Sequence, residues 1–248
     1  MSIGGPVTFS TIQTLIEYVL RVEMDMSRTV RVLLGLVAVV IVWTAFGRRA
    51  AASPAVPAAA VDAALAKTSG QETAVIAGGC FWGVQAVFQH VKGVISATSG
   101  YAGGESKTAE YEVVSTGETG HAESVKIVYD PSRVTYGQLL RIFFSVAHDP
   151  TQLNRQGPDE GTQYRSVIFY NTPEQKRIAD AYIAQLGSAK VFPRQIVTQV
   201  VPLKGFFAAE AYHQNYAENH PDDLYIRYND APKVAHLQQQ FPDMYRGK

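Results

Sequence analysis

Thr73-Ala74-Val75-Ile76-Ala77-Gly78-Gly79-Cys80-Phe81-Trp82-Gly83-Val84-Gln85-Ala86-Val87-Phe88-Gln89-His90-Val91 changes its hydrophobic period midway. Residues 73–77 are a short apolar run closed by two glycines, which reads as a strand. Phe81, Val84, Val87, Phe88 and Val91 then recur at helical spacing. A strand that becomes a helix across Gly78-Gly79 puts Cys80 at the helix N-terminus. The two glycines permit a close backbone approach or a turn with positive φ.

Working outward, residues 94–101 are β-branched and small, a strand ended by Gly100, Gly103 and Gly104. Residues 102–120 hold few apolar side chains and read as a long loop. Residues 123–129 alternate, with Glu123, Val125, Ile127 and Tyr129 on one face and Ser124, Lys126 and Val128 on the other. The first face is largely apolar, so Glu123 falls on the core side at the start of a strand. Residues 136–147 read as an apolar helix and 165–170 as a strand. Thr172-Pro173-Glu174-Gln175 supplies an N-cap, a Pro at the first helical position and a Gln at the third. Ile178, Tyr182, Ile183 and Leu186 form that helix's stripe, and Gly187 stops it. Residues 196–201 read as another strand. Residues 206–216 read as one helix, and the tail from Asn219 as surface wrapping.

This order predicts an α/β (α+β) fold. The expected form is a two-layer sandwich or roll, with helices packed on a mixed β-sheet, long loops and an irregular C-terminal tail. One globular domain is expected over 71–248, preceded by an Ala/Pro-rich linker over 53–70.

The 248 residues carry 22 Lys plus Arg against 22 Asp plus Glu, a formal net charge of zero. That argues against a nucleic-acid partner bound through bulk charge. With 46% hydrophobic and 18% charged residues, the chain is globular and not disordered. One cysteine, Cys80, excludes an internal disulfide framework, a multi-cysteine zinc site and an intramolecular dithiol relay. Six histidines without close ligand spacing give no reason to expect a bound metal.

Residues 32–46 are an uncharged apolar run preceded by Arg28 and Arg31 and followed by Arg48, Arg49 and a small-residue tail. This pattern over 26–52 reads as a secretory signal peptide. The run is short beside the roughly 20 apolar residues of a spanning helix. Arg48 and Arg49 favour retention as a signal-anchor, and a buried core helix is the third reading. Export to the periplasm, or an outward-facing membrane tether through 32–46, is the expected localisation. Residues 1–25 do not fit an export signal, and translation from Met26 would make them an over-long extension.

A cysteine at a helix N-terminus faces free amides and the positive dipole end, which favours thiolate over thiol. Phe81 and Trp82 set two aromatic surfaces beside the sulfur. The bland alternative is a buried, inert cysteine.

The stretch Gly79-Cys80-Phe81-Trp82-Gly83 resembles the A-type peptide methionine sulfoxide reductases, and the resemblance runs from about Thr73 to the late 230s. Five further stretches match in order. They are Gly100-Tyr101-Ala102-Gly103-Gly104 with Tyr111, then Gly117-Glu118-Thr119-Gly120-His121-Ala122-Glu123. His148-Asp149-Pro150, Asp159-Glu160-Gly161-Thr162-Gln163-Tyr164-Arg165-Ser166 and Ala209-Glu210-Ala211-Tyr212-His213-Gln214 follow. The resemblance implies that the Cys80 thiolate attacks a sulfoxide sulfur and that Glu123 supplies a proton to its oxygen. A carboxyl on an apolar strand face independently suits that task, because desolvation keeps it protonated. By resemblance, Tyr111 and Tyr164 hydrogen-bond the sulfoxide oxygen and Asp159 orders the site. Phe81 and Trp82 likewise receive the substrate's S-methyl group, as an apolar wall should. The implied products are methionine and a sulfenic acid on Cys80. The implied substrates are free and protein-bound methionine sulfoxide of the S epimer at sulfur.

The chain departs from the family in lacking any resolving cysteine; Ser115 stands where some relatives carry one. It therefore resembles a single-cysteine subtype. Its sulfenic acid needs an external thiol reductant: a thioredoxin-like protein, a glutathione-type thiol, or dithiothreitol in vitro. No bound cofactor is expected. Gln85 stands where many relatives have Glu, with little expected effect, and His121 and His213 read as structural hydrogen-bond partners. Two other readings compete. One is a cysteine hydrolase or acyltransferase with His121 or His213 as base; the other is a non-enzymatic envelope protein that keeps the fold for binding.

Overall fold

The computed structural model describes residues 56–247. The readings of residues 1–25, 26–52 and the apolar run 32–46 lie outside the described residues. Among the described residues, no helix is long and apolar enough to cross a membrane.

In chain order the main elements are β1 (Glu72–Ala77), α1 (Phe81–Gln89), β2 (Val94–Ala102), α2 (Tyr111–Val114), β3 (Ala122–Tyr129) and α3 (Tyr136–Ile142). They continue with β4 (Arg155–Gln156), β5 (Asp159–Glu160), β6 (Val167–Tyr170), α4 (Pro173–Ser188), β7 (Gln199–Pro202), β8 (Phe206–Ala208), α5 (Tyr216–Asn219) and α6 (Ala231–Gln240). Six strands form one sheet in the order β7-β6-β1-β3-β2-β8, and β4 and β5 pair separately. The β6–β7 pair is parallel and the others antiparallel, so the sheet is mixed, as the element order implied. β1 and β3 lie at its centre, which explains why the chain leaves β1 directly above the heart of the fold.

The alternation read over 123–129 places the side chains correctly. Val125, Ile127 and Tyr129 join Ile76, Tyr101 and Ile168 on the face packed by Phe81, Val84, Val87 and Phe88 of α1 and Leu139, Leu140 and Ile142 of α3. Burying each such side chain is worth about 1.5–3 kcal/mol. The other face carries a smaller cluster of Val75, Ala77, Ala102, Ala122, Val167 and Phe169. Thr172 caps α4 by accepting the Gln175 N–H, as the Thr-Pro-Glu-Gln string implied.

Several boundaries differ from the sequence reading. The apolar helix is α-helical to Ile142, then widens to a π-turn over Phe143–Ala147. That turn brings His148 Nδ1 to within 3.1 Å of the Phe143 carbonyl. The loop over 102–120 contains a 3-10 turn, Ser106–Thr108, and the single turn α2. The helix expected over 206–216 is instead strand β8, pairing with β2, followed by the 3-10 turn Ala211–His213. Sheet-edge pairing overrides the local pattern there. The tail from Asn219 is not surface wrapping. It forms the π-turn Ile226–Asp230 and α6, and it buries Ile226, Asp230 and Leu237.

The segment that reads as a linker lies against the domain over 56–66. Val56 is 3% exposed, and the Pro57 carbonyl accepts the Tyr182 hydroxyl at 2.6 Å. Asp62 Oδ1 accepts the Gly137 N–H at 2.8 Å, and Asp62 Oδ2 accepts the Thr135 hydroxyl. The folded unit thus begins before Gln71. Tertiary hydrogen bonds, which composition cannot show, hold this Ala/Pro-rich stretch in place.

Candidate active site

Cys80 is the N-cap of α1, and a double close approach fixes it there. A Cβ on Gly78 would sit 2.8 Å from Phe143 and 2.9 Å from the His148 ring. Gly79 adopts φ +90 with Gln156 side-chain carbons 2.5 Å from where its Cβ would stand. Only glycine fits either position. Gln156 is held in turn by two hydrogen bonds to the Asp149 backbone, at 3.2 and 3.1 Å. His148 is buried neutral, with its pKa pushed down to about 3 mainly by desolvation.

The helix-terminus argument gives the wrong direction for the Cys80 thiol. Cys80 is 8% exposed, and burial pushes the thiol well above its usual range, followed by the Glu123 and Asp230 charges. The Trp82 amide and the Lys233 ammonium act the other way without prevailing. Desolvation of the sulfur is the largest effect on it.

Glu123 is 4% exposed and lies directly across from Tyr101 in the β2–β3 ladder. Its Oε2 accepts the Phe81 backbone N–H at 3.0 Å. Burial raises the carboxyl to about 8, against the Phe81 hydrogen bond and with help from the Asp159 and Asp230 charges. The sequence expectation of a protonated acid on the apolar strand face therefore agrees with the geometry.

Tyr111 opens α2 and Tyr164 ends the 3-10 turn Thr162–Tyr164. Burial, with the Glu123 and Cys80 charges, pushes both hydroxyls up, so both stay protonated donors. Arg165 ties the Tyr164 turn to the loop before β3 by donating to the His121 and Gly120 carbonyls at 2.9 and 2.8 Å. Gln163 Nε2 donates to the Ser115 carbonyl at 3.2 Å. Asp159 is half-buried, and its Oδ2 accepts the Tyr225 hydroxyl. Burial raises the Asp159 carboxyl against that hydrogen bond and the Lys233 charge.

The two aromatic neighbours of Cys80 part company. Phe81 is 1% exposed, packed between Tyr101 and His213 at centroid distances of 5.9 and 5.1 Å. Trp82 is half-buried and stacks on Tyr216 at 3.8 Å, with the Tyr225 ring edge-on at 6.0 Å. Electrostatic contact joins Cys80, Glu123, Tyr111 and Tyr164, with Phe81 and Trp82 next to Cys80 at the start of α1, and Asp159 bonds Tyr225, whose ring meets Trp82 edge-on.

His121 and His213 are both held by hydrogen bonds. His121 Nδ1 accepts the Gly104 N–H at 3.2 Å, and its Nε2 lies 3.0 Å from the Glu105 carbonyl. His213 Nδ1 accepts the Trp82 indole N–H at 3.2 Å, which assigns its proton to Nε2. Burial lowers His213, so it is neutral. Among the described residues no histidine hydrogen-bonds Cys80, which leaves the acyl-transfer reading without its base. Gln85 is structural: it donates to the Ala97 carbonyl and Gln214 Oε1, and its own Oε1 accepts the Asn215 N–H.

Sequence reasoning missed four contributors from the C-terminal third: Tyr216, Tyr225, Asp230 and Lys233. Asp230 is fully buried, and its Oδ1 accepts from Lys233 Nζ at 3.0 Å while pressing against Gly83 of α1. The one local signal was Asp230-Ala231-Pro232, a helix start with Pro near N1.

The arrangement is a lone buried thiol beside a protonated carboxyl and two phenol donors, walled by aromatic rings. Such an arrangement is chemically able to carry a two-electron redox change on one sulfur. Comparison with known proteins agrees. A family model described as peptide methionine sulfoxide reductase matches residues 72–245. The peptide methionine sulfoxide reductase MsrA 2 of Mesorhizobium japonicum is 62% identical over 179 residues, 72% of this chain and 92% of that one. MsrA 2 of Synechocystis sp. is 49% identical over 198 residues, 79% of this chain and 92% of that one. Among solved structures, methionine sulfoxide reductase A of Corynebacterium diphtheriae aligns with TM-score 0.54 and 36% identity over 68% of this chain and 85% of its own. Reduced Mxr1 of Saccharomyces cerevisiae aligns with TM-score 0.55 and 31% identity, over 64% of this chain and 93% of its own. The chain belongs to the peptide methionine sulfoxide reductase family, and within it to the A type. It is an oxidoreductase of methionine sulfoxide.

Proposed function

We propose that Cys80 reduces the S epimer of methionine sulfoxide, free or in proteins, by direct attack on the sulfoxide sulfur. The observation that carries this is the buried, protonated Glu123 carboxyl, tied to the first residue of the helix that Cys80 caps. Tyr111 and Tyr164 donate to the sulfoxide oxygen, and Trp82 with Phe81 packs the S-methyl group. Glu123 gives its proton to the oxygen as Cys80 Sγ bonds to the substrate sulfur, and the proton of the Cys80 thiol restores the Glu123 carboxyl. The S–O bond breaks as the oxygen bonds to Sγ, and the Sγ–S bond to the substrate breaks with its electron pair leaving on methionine, so Cys80 is left as a sulfenic acid. The substrate sulfur is reduced and Cys80 is oxidised by the same two electrons.

The chain holds no second thiol to close a disulfide. An external thiol therefore forms a mixed disulfide with Cys80 and releases water, and a second thiol frees the enzyme. The reductant is a thioredoxin-like protein or a small thiol. Single turnover without reductant tests this. One methionine per enzyme, with a product one oxygen heavier that reacts with dimedone, is the expected result. A second methionine per enzyme, or an enzyme unchanged in mass, contradicts it.

We further propose that the protein acts on exported proteins, through the signal or tether read over 26–52. Sequencing the N-terminus of the protein recovered from each cell fraction checks this. Chain starting at Met1 in the cytosolic fraction contradicts it.

A further inference from the structure

We infer that Glu210 is a positioning residue that sets Tyr111 at the sulfoxide site. The inference rests on the proposed role of Tyr111 and extends it to the loop after β8. α2 is a single turn, and its N-cap, Glu110, offers no side-chain hydrogen bond. The first amide of that turn finds its partner 99 residues away, where Glu210 Oε1 accepts the Tyr111 N–H at 2.8 Å. The other oxygen, Oε2, accepts the hydroxyl of Tyr101 at 2.8 Å, and Tyr101 is fully buried in β2. One carboxylate thus ties a short surface turn to the sheet core, directly across the ladder from Glu123.

Three residues on, the His213 ring packs against Tyr111 at 4.4 Å while its Nδ1 holds the Trp82 indole. The segment from Glu210 to His213 therefore braces both sides of the site. Isolated turns this short do not hold themselves. Without Glu210, Tyr111 would keep its ring contacts and lose the hydrogen bond that fixes its backbone. A misplacement of about 1 Å costs up to about a hundredfold in rate.

The test is a double-mutant cycle in the full chain, with kcat/KM for methionine sulfoxide as readout and Cys80 alkylation by iodoacetamide as control. Glu210→Ala is expected to lower kcat/KM about tenfold or more, with the alkylation rate and its pH dependence unchanged. Glu210→Gln can still accept from Tyr111 and donate to the Tyr101 oxygen, so it should restore activity to near wild type. In a Tyr111→Phe background, Glu210→Ala should cost little more, because the two act as one unit. Where Glu210→Ala fails to fold, Glu210→Asp serves. It keeps the charge but is too short to span both partners, and it should lose activity with a near-native thermal midpoint. Wild-type kcat/KM in a folded Glu210→Ala or Glu210→Asp, or equal losses in both backgrounds, overturns the inference. Tyr111→Phe at wild-type kcat/KM removes the role of Tyr111 itself and the inference with it.

Discussion

Glu123 Oε2 accepts the Phe81 backbone N–H at 3.0 Å, so a buried carboxyl is fastened to the first turn of the helix that Cys80 caps. The acid and the sulfur are therefore positioned by the same few atoms, and their protonation states are linked through burial and charge.

Replacing Glu123 by Gln keeps the hydrogen bond from Phe81 and removes the titratable proton. General acid catalysis is worth about 10²–10⁴-fold, and kcat/KM should fall by that order. Wild-type activity should decline as pH rises through about 8, where Glu123 loses its proton. Steady-state rates of both proteins from pH 6 to 9 check this. A Gln variant of near wild-type activity contradicts it.

The same substitution should stabilise the protein at alkaline pH. The carboxyl is raised from 4.5 to about 8 in the folded state, so the fold binds more protons than the unfolded chain between those values. The stability that the protonated carboxyl confers is fully present below 4.5 and lost as pH rises through about 8. Glu123→Gln should therefore match wild type in thermal midpoint near pH 4 and exceed it at pH 8.5. A midpoint below wild type at pH 8.5 would refute the sign.

Gly79→Ala should damage both fold and site. Its positive φ disfavours any L side chain, and the Gln156 carbons occupy the Cβ position. Strain of this kind costs about 1–3 kcal/mol, before any shift of Cys80 is counted. Denaturant unfolding and turnover should both fall, and unchanged stability contradicts the close approach.

Tyr225→Phe removes the donor to Asp159 and keeps the ring beside Trp82. The expected effect is a several-fold rise in KM with kcat little changed, because the wall of the pocket loosens while the acid and sulfur stay in place. Equal loss in kcat and kcat/KM would place Tyr225 in the chemical step instead.

The legible parts of the chain were the local ones. Gly78-Gly79 before Cys80, the alternation that puts Glu123 on the core face and the Thr172 cap are each decided by neighbours a few residues apart. The illegible parts depend on partners far away in sequence. β8 exists because β2 offers it a free edge, and Tyr225 matters because Asp159 lies 66 residues earlier. Asp230 is buried against Gly83, and only glycine leaves room for it. The sign for the Cys80 thiol failed for a related reason. The helix terminus is visible in the sequence, but the burial that raises the thiol is a tertiary property.

In the proposed reaction one sulfur, Cys80, carries the reduction of one epimer. The most direct measurement supplies the purified full chain with methionine sulfoxide of defined configuration and dithiothreitol, and follows methionine by chromatography for wild type and Cys80→Ser. Turnover of the S epimer alone, abolished in the variant, is the expected result. Turnover that survives Cys80→Ser, or a folded wild type that converts neither epimer while its thiol titrates as free, would contradict it.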